Sequence, residues 1–199
     1  MGHSSAIRLT LIAALPLVAL AQGPFAASAA AEPACPAVSF DTTRESQLID
    51  ELRDAPDAHA ARALNASLWQ LWTRAPDAYA QDLLDGAMAR IRMGDLSNAV
   101  SALDALVDYC PDYAEGYNQR AFARYLQKDF GAAITDIDRA LELRPRHIGA
   151  LSGKALTLIG LGNEREALDA LRAALNLNPW LSERALLDDL ERKLGATQL

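Results

Sequence analysis

Two cysteines, three histidines and three lysines in 199 residues leave this chain short of several chemistries. So little cysteine cannot build a disulfide scaffold, and so few Cys and His leave little material for a metal site. Basic residues are outnumbered, 19 Lys+Arg against 26 Asp+Glu, for a net charge of −7. An acidic surface repels phosphate backbones, which argues against a nucleic-acid partner. Aromatics make up only 6% of the residues, yet the chain is 51% hydrophobic and 23% charged. That is too apolar for disorder.

The acids are absent altogether from residues 1–31. Arg8 and the amino terminus precede the apolar stretch Leu9–Leu20, followed by Gly23-Pro24 and an Ala/Ser tract. Ala27-Ser28-Ala29 and Ala29-Ala30-Ala31 both fit an A-x-A cleavage pattern just before Glu32. This three-part layout is that of a secretory signal peptide. The alternative is an uncleaved membrane anchor, but Gln22, Gly23 and Pro24 leave the apolar part short of the roughly 18–20 residues a span needs. Glu32-Pro33-Ala34 ahead of Cys35 lacks the small, apolar residues of a lipid-attachment site. The expected product is a periplasmic or secreted protein with no stable membrane span. In an oxidising compartment Cys35 and Cys110 can pair. Two reduced thiols, one packed as a small hydrophobe, are the other reading.

Pro111, Pro145 and Pro179 stand 34 residues apart, and that register aligns much more. Ala87/Ala121/Ala155 form one column, Ala99/Ala133/Ala167 another, and Asp95/Asp129/Asn163 a third, preceded by Gly94, Lys128 and Gly162. Val100/Ile134/Leu168, Leu103/Ile137/Leu171 and Val107/Leu141/Leu175 are apolar throughout. Within each unit apolar positions recur three and four apart, as on one helix face. Gly before Asp or Asn suits a left-handed helix end followed by an N-cap, with Glu166 placed to complete a capping-box pattern at Asn163. Each Pro disfavours helical geometry just before it. The alanines let two helices approach closely. Each unit is thus expected to be two antiparallel helices, stacked on its neighbours to bury a shared core.

Tyr117–Pro145, with Tyr117, Ala121, Phe130, Ala133, Ala140 and Pro145 in the family's columns, resembles a tetratricopeptide repeat (TPR). The following unit is similar through Leu151, Ala155, Gly162, Ala167, Ala174 and Pro179. The preceding one is similar through Leu83, Ala87, Gly94, Ala99 and Pro111, with Leu106 at the late small position. The resemblance implies an all-α, right-handed superhelix of antiparallel helix pairs with end-capping helices. Its three units span about 80–113, 114–147 and 148–181.

Outside the repeats, residues 32–41 read as an extended segment and 42–79 as a divergent helical hairpin closing the N-terminal end of the stack. Thr42-x-x-Glu45 reads as a capping box, Pro56-Asp57 as a turn, and Leu64, Leu68, Leu71 and Trp72 as one face of the second helix. Residues 180–199 read as a C-terminal capping helix and tail.

Catalytic chemistry is largely missing. Gly149–Lys154 is one residue short of a phosphate loop and lies inside a repeat helix. His59 and His147 read as isolated surface histidines, Asp136/Asp138 as solvated helix face, and Trp69 and Trp72 as core and hairpin packing. Asn65-Ala66-Ser67 is a sequon placed mid-helix. No catalytic residue, metal site or cofactor is assigned. The resemblance implies a non-catalytic scaffold that takes a protein or peptide in its concave groove. Carried over by register, the groove residues are Leu84, Met88 and Ile91, then Asn118, Phe122 and Tyr125, then Ser152, Leu156 and Ile159. Some chaperone-binding members clamp a terminal carboxylate with Lys, Arg and Asn at such positions, and only Asn118 matches here. An apolar or amphipathic segment suits this surface, unless Phe122 and Tyr125 simply pack on a neighbouring helix. Self-assembly is the alternative, with the groove filled by another copy or by the chain's own N-terminal segment.

Overall fold

Aspartates open most of the helices. In the computed structural model, which describes residues 1–2 and 34–196, Asp41, Asp57 and Asp77 accept backbone N–H bonds at the starts of α1 (Thr42–Arg53), α2 (Ala58–Trp72) and α3 (Ala78–Arg92). The segment read as a targeting signal lies, apart from residues 1–2, outside the described residues. Five helices follow: α4 (Leu96–Tyr109), α5 (Ala114–Leu126), α6 (Phe130–Leu143), α7 (Ile148–Leu161) and α8 (Glu164–Leu177). A 3-10 turn (Ser182–Leu186) leads into α9 (Leu187–Ala196), so the expected C-terminal helix is broken in two. Among the described residues no helix is long and apolar enough to cross a membrane.

The caps depart from expectation in detail. Asp41, not Thr42, caps α1, because Glu45 is drawn inward and buried instead of turning back to the helix start. Asp129 accepts from the Ala132 N–H, whereas the Asn163 side chain makes no cap bond and Asp95 is held by Asn98. Asp77 also accepts from the Tyr109 hydroxyl at 2.7 Å. The Ala80 N–H and that hydroxyl hold its carboxyl below the usual aspartate value.

Pairs α3–α4, α5–α6 and α7–α8 are the three repeat units, and α4–α5 and α6–α7 join them. All six column alanines are buried, Ala121 at 2% exposure and the other five at 0%. A larger side chain there would hold the axes apart. Ion pairs repeat with the same period: Asp104 meets Arg120 at 2.8 Å and, 34 residues on, Asp138 meets Lys154 at 2.7 Å. Asp136 is not solvated, as the sequence suggested, but 2% exposed. Arg120 and Arg124, one turn apart on α5, close over it at 2.6–2.9 Å. Burial works against the Arg120 charge, but the Asp136 and Asp104 carboxylates beside it hold its pKa above the usual arginine value.

Where the two helices of each unit meet, the backbone turns left-handed. Gly94 and Gly162 both sit at φ 77° and Lys128 at 62°, the one non-glycine with positive φ among the described residues. A Cβ in that conformation crowds the following carbonyl. Lys128→Gly should therefore stabilise the fold by about 1 kcal/mol, raising Tm by roughly 2–4 °C for a chain of this size. A calorimetric scan beside wild type checks it.

The N-terminal hairpin does not stack as a further unit on α3. Its core (Leu48, Ile49, Leu52, Ala61, Leu68 and Trp72) closes on Ile148 of α7, with Leu177 and Leu181 packed alongside. The pair α1–α2 is folded back against the third unit, and α1 touches α8. Arg146 reaches Ser46 and Asp50, and Arg144 lies over the Phe40 ring at 3.5 Å. The extended segment before α1 is bonded through Cys35 to Cys110, the residue that ends α4, with Cα atoms 5.2 Å apart. Residues 34–72 therefore run from the first unit to the last.

Candidate functional site

The first helices of the units, α3, α5 and α7, face a concave cavity of about 510 Å³. Six of the nine sequence-derived groove residues line it: Met88, Ile91, Asn118, Phe122, Tyr125 and Leu156. The other three do not, and the register explains why. Leu84, Asn118 and Ser152 share one column, and all are buried. Leu84 is sealed among Ala80, Ala87, Leu103 and Leu106, and Ser152 bonds back to the Gly149 carbonyl. That column points into helix contacts, so only Asn118 reaches the cavity. Ile159 turns instead to the apolar cluster of the third unit. One turn on from the 84/118/152 column, Met88, Phe122 and Leu156 all line the cavity. Phe122 is 48% exposed, and Tyr125 is half-buried with its ring tilted on Phe130.

Several lining residues were not identified from the sequence. Trp69, read as packing, stands 39% exposed on α2 and contributes to the cavity wall. Arg92, Gln119, Gly153 and Thr157 complete much of the remainder. The two positions Gly149 and Gly153 carry a signal that could have been used, since side chains missing from a repeat helix leave room. Trp69 carried none, because the fold-back that brings it there lies outside the repeat register.

Beneath the cavity lies a buried polar network. Glu115 is 1% exposed, and its carboxylate accepts from Asn118 Nδ2 at 3.1 Å and Gln119 Nε2 at 2.6 Å. Its second oxygen meets His147 Nε2 at 2.8 Å. The Ala150 N–H donates to His147 Nδ1, so the ring proton sits on Nε2 and is donated to Glu115. Three donors satisfy the buried carboxylate. His147 is thus not a surface residue: it is fully buried and caps α7. His59 is exposed on α2.

Trp72 stacks on His147 with centroids 4.2 Å apart, donates Nε1–H to Glu45 at 2.8 Å, and lends its carbonyl to the Tyr113 hydroxyl. Burial pushes the Tyr113 phenol well above its ordinary range, with Glu115 and Asp85 adding to the effect. Burial likewise lowers Arg144, against the opposing charge of Glu45. Glu115 thereby connects two things, the residues that hold the hairpin and the amides that line the cavity. Among the described residues no group of three or more His, Cys, Asp and Glu is placed to hold a metal ion.

Known proteins share this architecture. The family model for the tetratricopeptide repeat matches residues 148–179. A TPR repeat-containing protein of Rhizobium etli is 31% identical over 182 residues, 88% of this chain and 89% of its own length. Human tetratricopeptide repeat protein 36 is 43% identical over 60 residues, 30% of this chain and 31% of that one. Among solved structures, the first TPR of Spaghetti (RPAP3) bound to the HSP90 peptide SRMEEVD superposes with a TM-score of 0.57 at 22% identity, covering 59% of this chain and 94% of that one. The TPR2B domain of yeast Sti1 in complex with an Hsp70 peptide gives 0.53 at 27% identity, covering 60% and 98%. With nearly a third of its residues shared along almost nine-tenths of both chains of the first relative, this chain belongs to the tetratricopeptide repeat proteins.

Proposed function

We propose that this is an exported, non-catalytic scaffold that binds a protein or peptide segment on its concave face. The observation carrying this reading is the column Met88, Phe122 and Leu156, three apolar side chains on successive first helices that all reach the cavity, with Phe122 48% exposed. A phenyl ring left half in water on an inner face is the kind of anchor that interfaces bury. Similar domains hold chaperone peptides in their solved complexes, which supports peptide recognition as the class of activity. The carboxylate clamp is not part of the proposal, because Leu84 and Ser152 are buried where clamp residues would need to be free. Export is supported by the leader pattern of residues 1–31 and by the Cys35–Cys110 bond, which suits an oxidising compartment.

Phe122→Ala tests the reading cleanly, since Tyr125 also packs on Phe130 and its loss would mix two effects. Stability should stay within about ±0.5 kcal/mol of wild type. Recovery of cross-linked partners from the native cell envelope should fall by roughly thirtyfold, as for an anchor of about 2 kcal/mol. Unchanged recovery would place the partner elsewhere.

A second reading is favoured by Trp69, which brings the chain's own hairpin to the cavity edge. In that case the concave face is a partly self-covered structural surface. Concentration-dependent sedimentation of the purified chain, with no foreign partner, would then report assembly.

A further inference from the structure

The cavity has the properties of a small-molecule site. Its volume of about 510 Å³ falls inside the roughly 300–1,000 Å³ common for such pockets, which are mostly apolar with a few placed polar groups. Trp69 of α2 and Ile137 of α6 add to the walls made by α3, α5 and α7, and a pocket walled by five helices also suits a compact molecule. Arg92 is the one charged residue on the lining, and it makes no ion pair among the described residues.

We propose that this cavity binds a small amphipathic organic anion. Its aromatic or acyl body sits among Met88, Phe122, Leu156 and Trp69, and its single anionic head pairs with Arg92. The guanidinium supplies charge-assisted bonds to the head, and the apolar walls supply most of the affinity by removing the body from water. Asn118 and Gln119 are uncharged and each already gives one N–H to Glu115, so Arg92 is the head's preferred partner. This site goes beyond the partner-binding reading. Its test contains no protein partner, so either can fail without the other.

Two probes that differ by one sulfonate separate body from head. 1-Anilinonaphthalene-8-sulfonate carries the charge, and N-phenyl-1-naphthylamine is its uncharged counterpart. Titrated into the folded full chain, each should bind saturably with one site per chain. Gly153→Leu fills the cavity: a Cβ at Gly153 would meet nothing nearer than Ile137 Cδ1 at 3.9 Å, so the helix accommodates it. That variant should melt no lower than wild type and bind both probes at least tenfold more weakly. Phe122→Asp, on a half-exposed wall residue, should give the same loss if Gly153→Leu folds poorly. Arg92→Gln should weaken the sulfonate probe about tenfold and leave the neutral one within twofold. No saturable binding to wild type, or undiminished binding of both probes to a folded cavity variant, would overturn the site. Equal effects of Arg92→Gln on the two probes would overturn its anionic specificity.

Discussion

Replacing Trp72 by alanine should cost about 3–5 kcal/mol, the largest single-residue loss expected outside the repeats. The indole is 4% exposed and holds two partners in different parts of the chain, the His147 ring and the Glu45 carboxylate, while the Trp72 carbonyl that takes the Tyr113 hydroxyl remains in the variant. Removal of the indole opens a cavity in the hairpin core and leaves Glu45, itself 7% exposed, without its donor. Trp72→Phe separates the contributions. A phenyl ring retains the stacking surface over His147 but lacks the N–H, so the loss should shrink to roughly the 1–3 kcal/mol of one unsatisfied buried acceptor. Urea unfolding of the three proteins, compared by midpoint at constant slope, reads both values. If Trp72→Ala unfolds within 1 kcal/mol of wild type, the hairpin is not held by this residue.

The second large effect concerns the bond between Cys35 and Cys110. It closes a separation of 75 residues, and in the chain-entropy account such a loop restricts the unfolded state by about 4 kcal/mol. Cys35→Ser should lose most of that stability while disturbing little of the folded state, because Cys35 is only half-buried and Cys110 remains packed at 1% exposure. Reductant should lower the wild-type midpoint to that of the variant and leave the variant where it was. Thiol titration of the unfolded, unreduced protein should find no free thiol. Two reactive thiols in material purified from an oxidising compartment would contradict the bond.

The two effects bear on the same feature. A repeat stack is held by nearest-neighbour contacts, and its units can loosen one at a time. Here the N-terminal segment is tied to the first unit at Cys110 and to the third at Ile148, His147 and Leu177. It links the first unit to the third, and Trp69 of the same segment joins the cavity wall.

Sequence and structure agree where interactions follow the 34-residue register. The alanine columns, the apolar columns and the turns at Gly94, Lys128 and Gly162 were legible because each unit repeats the same local problem. Even the salt bridges Asp104–Arg120 and Asp138–Lys154 obey that period. The hairpin was legible as two helices but not in its placement. Trp72 meets His147 and Cys35 meets Cys110 across 75 residues each, outside any repeat, so no pattern along the chain announces them. Asp136 and His147 were misread for a related reason. Their composition suggests solvent, and only tertiary packing supplies Arg120, Arg124 and Glu115 as partners. Within the candidate site, register located the column Met88, Phe122 and Leu156 but could not fix the helix rotation that buries Leu84 and Ser152.

The central claim is that the concave face, and not the outer one, receives the partner. It is tested most directly by a photo-activated cross-linking residue placed at position 122 of the full chain in its own cells, with the same residue at Arg165 on exposed α8 as comparison. Adducts joining another polypeptide to position 122, and not to position 165, are the predicted result. Adducts at position 165 alone, equal adducts at both, or none at position 122 would contradict it.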